Sequence, residues 1–192
     1  MGTGMVITLV VAAAAMLYVV VIYNGLVALK HAVAKSFANI DVLLKQRHDE
    51  LPKLVETCRQ YMQHEQGTLQ KVIEARSRVA SASAARDIEA LNTAESSLRQ
   101  GLGQLFALAE NYPDLKANDT FLHLQARISQ IENALADRRE TYNDAVNNNN
   151  VRIEQFPDAV VASLGGFKPA RLLKFRAQET ADVNVAALFK TS

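Results

Sequence analysis

Met5 to Tyr23 reads MVITLVVAAAAMLYVVVIY, a run in which Thr8 is the one conventional polar residue. Wound as a helix at about 1.5 Å per residue, it is about 28 Å long, close to the thickness of a bilayer's hydrocarbon layer. A core helix of a soluble protein keeps a polar face, and this stretch has none. Tyr18 and Tyr23 suit the membrane–water interface. A cleaved signal peptide would carry a basic leader, and Met1-Gly2-Thr3-Gly4 supplies no charge. A lipoprotein needs a cysteine near the apolar run, yet Cys58 is the first in the chain. N-myristoylation needs Ser or Thr at position 6, where Val6 stands. The run is therefore expected to be an uncleaved single-pass transmembrane helix.

Charge begins at Lys30. Lys30, Lys35, Lys45 and Arg47 follow the span, so the positive-inside rule places the body in the cytoplasm and residues 1–4 outside as a short N-terminal tail. The whole chain has 21 basic and 20 acidic residues, a net charge of +1, with no basic stripe of the kind a nucleic-acid binder shows. Nucleic acid is thus not an expected partner. The single cysteine rules out an intrachain disulfide.

Beyond the span the apolar spacing is helical almost throughout. Leu29, Val33, Phe37, Ile40 and Leu44 continue the anchor helix into the body. Pro52 is expected to stop or kink it and to open a second helix carrying Leu54, Cys58, Tyr61, Leu69, Val72 and Val79. The small, polar stretch from Ala80 to Arg86 reads as a turn or weak helix. Leu91, Glu95, Leu98, Leu102, Leu105 and Ala109 then alternate in threes and fours like a coiled-coil seam, with Glu95 as a polar intruder. Pro113 marks a loop from Glu110 to Asn118, where Asn118 or Asp119 can cap the next helix. Phe121, Leu124, Ile128, Ile131, Leu135, Tyr142 and Ala145 form its heptad, with Arg138 a second intruder, and Asn147 to Asn150 invite a fray. Phe156-Pro157 ends it, Asp158 to Leu164 suggests a short helix, and Gly165-Gly166 stops that. Narrow stripes on long helices bury themselves only against one another. The expected fold is all-α: a single-pass transmembrane helix at 5–23, then an elongated antiparallel bundle of three to four long helices over 24–175. Residues 176–192 read as a poorly ordered tail.

No catalytic, cofactor or metal constellation emerges. Residues Ala28, Lys45, Tyr61 and Thr120 precede His31, His48, His64 and His123 by three, so the Glu-x-x-His pairs of a di-metal bundle are absent. His64-Glu65 lacks the second histidine of a zinc protease. Cys58 sits on an apolar stripe as a small buried thiol. Val161 stands where a nucleophile elbow around Ser163 needs glycine, and Phe106 occupies the third glycine position after Gly101 and Gly103. Two polar clusters remain as an interaction surface: Lys45, Gln46, Arg47, His48 and Asp49, and the loop bearing Tyr112 and Asp114. On residues alone the first cluster reads rather as a solvated, self-paired helix end, and Tyr112-Pro113 as a structural turn.

IDVLLKQRHD (Ile40 to Asp49), ENYPDLKA (Glu110 to Ala117), Tyr23-Asn24-Gly25, Leu51-Pro52-Lys53, Ile131-Glu132-Asn133, Arg138-Arg139 with Tyr142-Asn143, and Phe156-Pro157 occur in an order that resembles the LemA family of bacterial membrane proteins. Asn149-Asn150 and Leu173-Lys174-Phe175 depart from its pattern. The resemblance implies an N-terminal anchor in the bacterial inner membrane, a cytoplasmic helical body and a molecular function that is not established. Two functions fit the residues. One is a non-enzymatic, membrane-tethered scaffold that self-associates into a homo-oligomer, its anchors packing through Ala12 to Ala15, and organises membrane lipids or proteins. The other is a signalling or adaptor module that recruits an unidentified membrane or cytoplasmic protein partner or senses a ligand.

Overall fold

A computed structural model describes residues 2–174. The expected tail at 176–192 lies outside the described residues. Helix α1 runs without a break from Thr3 to Tyr61. It is followed by α2 (Gln66–Ala84), α3 (Ile88–Ala109), a single turn α4 (Pro113–Lys116), α5 (Asp119–Glu154) and α6 (Asp158–Leu164). No strand occurs among the described residues. The all-α fold expected from periodicity is the one observed.

Pro52 lies inside α1 and does not end it. A proline there deprives the carbonyl four residues earlier, that of His48, of its helical donor. Arg76 on α2 supplies the replacement: its Nε donates to the His48 carbonyl at 2.9 Å. With that oxygen satisfied, the stripe passes the proline in phase: Phe37, Ile40, Leu44, Arg47, Leu51, Leu54 and Cys58 are all buried. The break falls instead at 62–65, after Met62 packs into the core.

Two further expectations shift. Residues 80–84 belong to α2, which ends in a Schellman arrangement: Asp87 N donates to Ala82 O and Arg86 N to Ser83 O, with Arg86 left-handed at φ 52°. Asp87 then caps α3 through bonds from the Glu89 and Ala90 amides. Asn147 to Asn150 stay helical within α5. Of these four, Asn150 bonds the segment after α6, which returns along α5 as an extended strap. Asn150 exchanges two bonds with the Ala170 backbone, Asn143 two with Leu173, and Asn92 on α3 pairs with Leu172 O and Lys174 N. Leu173 is buried beneath them.

Cross-contacts fix the topology. Tyr23 meets Phe167, Phe37 meets Tyr142, Arg47 meets Glu132, and Tyr61 meets Asn118, so α1 and α5 run antiparallel. Asp41 with Ser83 and His48 with Arg76 set α2 antiparallel to α1. The α2–α3 hairpin therefore begins only near the level of Asp41. Nearer the membrane segment, α1, α5, α6 and the strap form a narrower stalk around Ile22, Leu26, Val161 and Ala162. The distal half is a four-helix bundle whose core extends to Leu115 and Phe121. Residues 5–21 project beyond it with their apolar side chains exposed.

The Arg76–His48 contact gives a direct test. Arg76→Met in the native background is expected to lower stability by about 1–3 kcal/mol, the penalty for an orphaned buried acceptor. In a Pro52→Ala background the restored amide donates to His48, and the same substitution is expected to lose much of that penalty. Urea titrations of the four chains of this double-mutant cycle measure the coupling. Additive effects would reject the role assigned to Arg76.

Candidate functional site

The polar segment of α1 splits across two environments. Lys45, Gln46 and Asp49 are exposed, His48 is half-buried, and Arg47 is 1% exposed, at a core position of the heptad. Arg47 is thus not part of a surface. Its guanidinium donates through Nη2 to Glu95 on α3 and through Nη1 to Glu132 on α5. Arg139 on α5 donates to the other Glu95 oxygen at 2.6 Å, and Arg99 Nε stands 3.7 Å from Glu132. Three guanidiniums and two carboxylates thereby bolt three helices together. Burial alone would lower the pKa of Arg47, but Glu95 and Glu132 outweigh it and hold it above the ordinary value. Arg139, with burial dominant over Glu95 and with Arg99 nearby, is held below it.

The expected intruder on α5 was Arg138; Arg138 is exposed and Arg139 is buried. The cause is a register change. Buried positions on α5 run Phe121, Leu124, Ile128, Ile131, Leu135, Arg139, Tyr142, Val146 and Asn149. Two consecutive steps of four at Ile131–Leu135–Arg139 are a stutter, which rotates the stripe by one position relative to a strict heptad. Val146, apolar where the strict heptad wants Ala145, was the sequence signal.

On the other side of Arg47, α1, α2 and α3 enclose a cavity of about 240 Å³. Leu44, Leu51, Val79 and Leu98 give it an apolar wall, and Asp41, Lys45, His48, Arg76 and Ser83 line the rest. Ser83 donates to Asp41 at 2.5 Å. Arg76 Nη2 lies 2.7 Å from His48 Nε2. Burial, then the Arg76 charge, hold the His48 pKa below its ordinary value, so the ring is neutral near pH 7. With a guanidinium donating to Nε2, the ring proton resides on Nδ1. That atom is buried and has no hydrogen-bond partner among the described residues.

Tyr112 and Asp114 lie elsewhere, at the far end of the bundle, where Tyr112 precedes α4 and packs on the core while Asp114 is exposed. They do not join the α1 cluster in one surface. Cys58 is buried, and burial pushes its thiol up to about 12, the setting of an inert core cysteine. His31, His64 and His123 are exposed on separate parts of the body. Sequence reasoning found Glu95 but missed Glu132, Arg139, Arg76 and Ser83, whose roles depend on which helix each faces.

An anchor helix that runs directly into an antiparallel bundle, with a buried ion network at its centre, defines a membrane-associated helical-bundle protein. The chain belongs to the LemA family, whose sequence pattern matches residues 36–186. It is also 35% identical over 82 residues to Magnetosome protein MamQ 2 of Paramagnetospirillum magneticum, a match covering 43% of this chain and 30% of that protein. Magnetosome protein MamQ of Magnetospirillum gryphiswaldense is 32% identical over 80 residues, covering 42% of this chain and 29% of the relative. The similarity thus spans less than a third of either relative's length.

Removing Glu95 leaves two buried guanidiniums short of a carboxylate, so Glu95→Ala is expected to destabilise the body by about 3–5 kcal/mol. Arg138→Ala, on the solvated side, is expected to change stability by less than about 0.5 kcal/mol. Chemical denaturation of both variants checks the register; comparable losses would refute it.

Proposed function

We propose that this protein is a non-enzymatic, membrane-tethered scaffold that self-associates and organises the membrane or its proteins. The observation that carries the reading is the unbroken helix from Thr3 to Tyr61. A hinge between span and body would let the bundle tumble. A continuous helix locked by Glu95 and Glu132 instead holds the bundle at one attitude to the membrane. A fixed attitude is what repeated, identical contacts between neighbouring copies require. The exposed apolar span, with its small residues Ala12 to Ala15, offers a close-packing face for such contacts. The membrane is the bacterial inner membrane, with the body cytoplasmic, on the strength of Lys30, Lys35 and Lys45 following the span.

The mass of the full chain in mild detergent tests the reading. A discrete assembly several times the 21.1 kDa chain is expected. A chain beginning at Val21, which keeps Ile22 and Leu26 for the stalk, shows whether the contacts lie in the span or the body. A monodisperse monomer of the full chain in both detergent and bilayer discs would refute self-association.

One observation favours a second reading, a signalling or adaptor module whose body senses a ligand or recruits a protein. It is the cavity beside His48, with its buried, unpartnered Nδ1. That reading predicts a stoichiometric crosslinked partner other than the chain itself, lost on Tyr112→Ala or Asp114→Ala for recruitment through the distal loop. Crosslinks between copies alone would reject recruitment.

A further inference from the structure

Helix α6 closes the stalk by packing Val161 and Ala162 on Ile22 and Leu26 of α1. Ile22 belongs to the apolar run and Leu26 follows it by one turn, so α6 is held at the level where the span leaves the hydrocarbon. The opposite side of this corner carries Phe156, Val160 and Leu164 at steps of four, 87%, 53% and 85% exposed. Among the described residues nothing covers them. In water such a stripe is unfavourable, yet the sequence keeps three large apolar side chains there. Arg152 pairs with Asp158, which is buried at the start of α6, and fixes the orientation of the helix. Gly166, left-handed at φ 68°, ends it in a Schellman turn, with Phe167 N donating to Ala162 O at 3.0 Å. Gly165 must be glycine because a Cβ there would stand 2.7 Å from the Phe167 ring, which meets Tyr23 edge-on.

Between that turn and α1 opens a cavity of about 490 Å³, lined by Tyr23, Lys30, His31, Gly166, Phe167 and Lys168 among others. Lys30 and Lys168 have no carboxylate partner among the described residues, and no acidic side chain lines the cavity. Lys30 lies two helical turns past Tyr23, about 10 Å beyond the end of the apolar run. The headgroup layer is about 5–8 Å deep per leaflet, and a lysine side chain reaches back into it.

We propose that this corner is a second membrane contact: Phe156, Val160 and Leu164 insert at the interface, and Lys30 and Lys168 hold the phosphate of an anionic phospholipid in the cavity beside Tyr23 and Phe167. The inference rests on α1 crossing the membrane. An exposed apolar stripe and unpaired lysines on one corner of the stalk are the two ingredients of an interfacial anchor. Here it is set on the same rigid stalk as the span, so the two contacts together orient the bundle.

The chain contains no Trp, so a single introduced Trp reports its own surroundings. Full-length Phe156→Trp and Leu164→Trp, with Met16→Trp in the span and Leu122→Trp at the far end of the bundle, are reconstituted in vesicles containing brominated phospholipids. Quenching at 156 and 164 of at least half that at 16, with none at 122, is expected. If 16 is quenched while 156 and 164 behave like 122, the span stands and the α6 contact is overturned. If 16 is not quenched, the span itself fails and the contact with it. For the headgroup, brominated phosphatidylglycerol and phosphatidylcholine compete around Leu164→Trp at equal mole fraction. A preference for phosphatidylglycerol of about fivefold per lysine is expected, falling to near unity in Lys30→Gln/Lys168→Gln. No preference, or a preference that survives the double substitution, overturns the lipid site. Its loss to excess inorganic phosphate at matched ionic strength also overturns it, assigning the cavity to a free anion.

Discussion

The architecture hangs on α1 remaining one helix past a proline. Pro52 removes the donor for the His48 carbonyl, and in an isolated helix that defect would bend or end the chain there. Arg76 reaches from α2 to accept the role of donor, so the helix is continuous only because a second helix lies against it. The dependence also runs the other way. The guanidinium that serves His48 pins α2 in register with α1, as the Ser83–Asp41 bond does a few turns nearer the membrane. The cavity beside His48 lies between these two cross-links, in the space that they keep from closing.

The ion network specifies register at some expense of stability. Burying the Arg47 and Arg139 guanidiniums and the Glu95 carboxylate carries a large desolvation penalty, and replacing buried ion networks by apolar side chains of the same volume is often neutral or stabilising. What the charges add is discrimination. Arg47 can satisfy both its carboxylates only if α1, α3 and α5 meet at one height and one rotation. Plain apolar stripes, which repeat every heptad, tolerate sliding by seven residues. Glu95 shared between Arg47 and Arg139 forbids that slide, and the stutter in α5 is the local unwinding that brings Arg139 rather than Arg138 to it.

Towards the membrane the bundle thins, because α2 and α3 turn back near Asp41 and only α1 and α5 continue. The gap they leave along α5 is filled by the strap from Phe167 to Lys174, an extended segment that has no strand to pair with. Asparagine amides stand in for the missing strand, since each offers a donor and an acceptor spaced like those of a peptide group. Asn143 and Asn150, poor helix formers inside α5, thus each bind strap backbone. The same strap carries Lys168 to the mouth of the stalk, beside Tyr23 and Lys30.

Several features were determined by local sequence. The span follows from composition and length, α-helicity from periodicity, the caps at Asp87 and Asn118 from side chains that bond their own next turn, and the stop after Leu164 from Gly166, which readily adopts a left-handed φ. The core heptad of α1 was equally legible across Pro52, since Leu44, Arg47, Leu51 and Leu54 keep step. The proline hid that continuity because its penalty is local while its remedy lies on another helix. Tertiary structure alone decided what was non-local: that Arg47 faces two glutamates, that Arg139 rather than Arg138 turns inward, that asparagines hold a strap, and that α6 lies against the end of the span. Each of these depends on desolvation or on a partner supplied from tens of residues away. A one-dimensional pattern records which side of a helix a residue occupies, and only packing sets what it meets there.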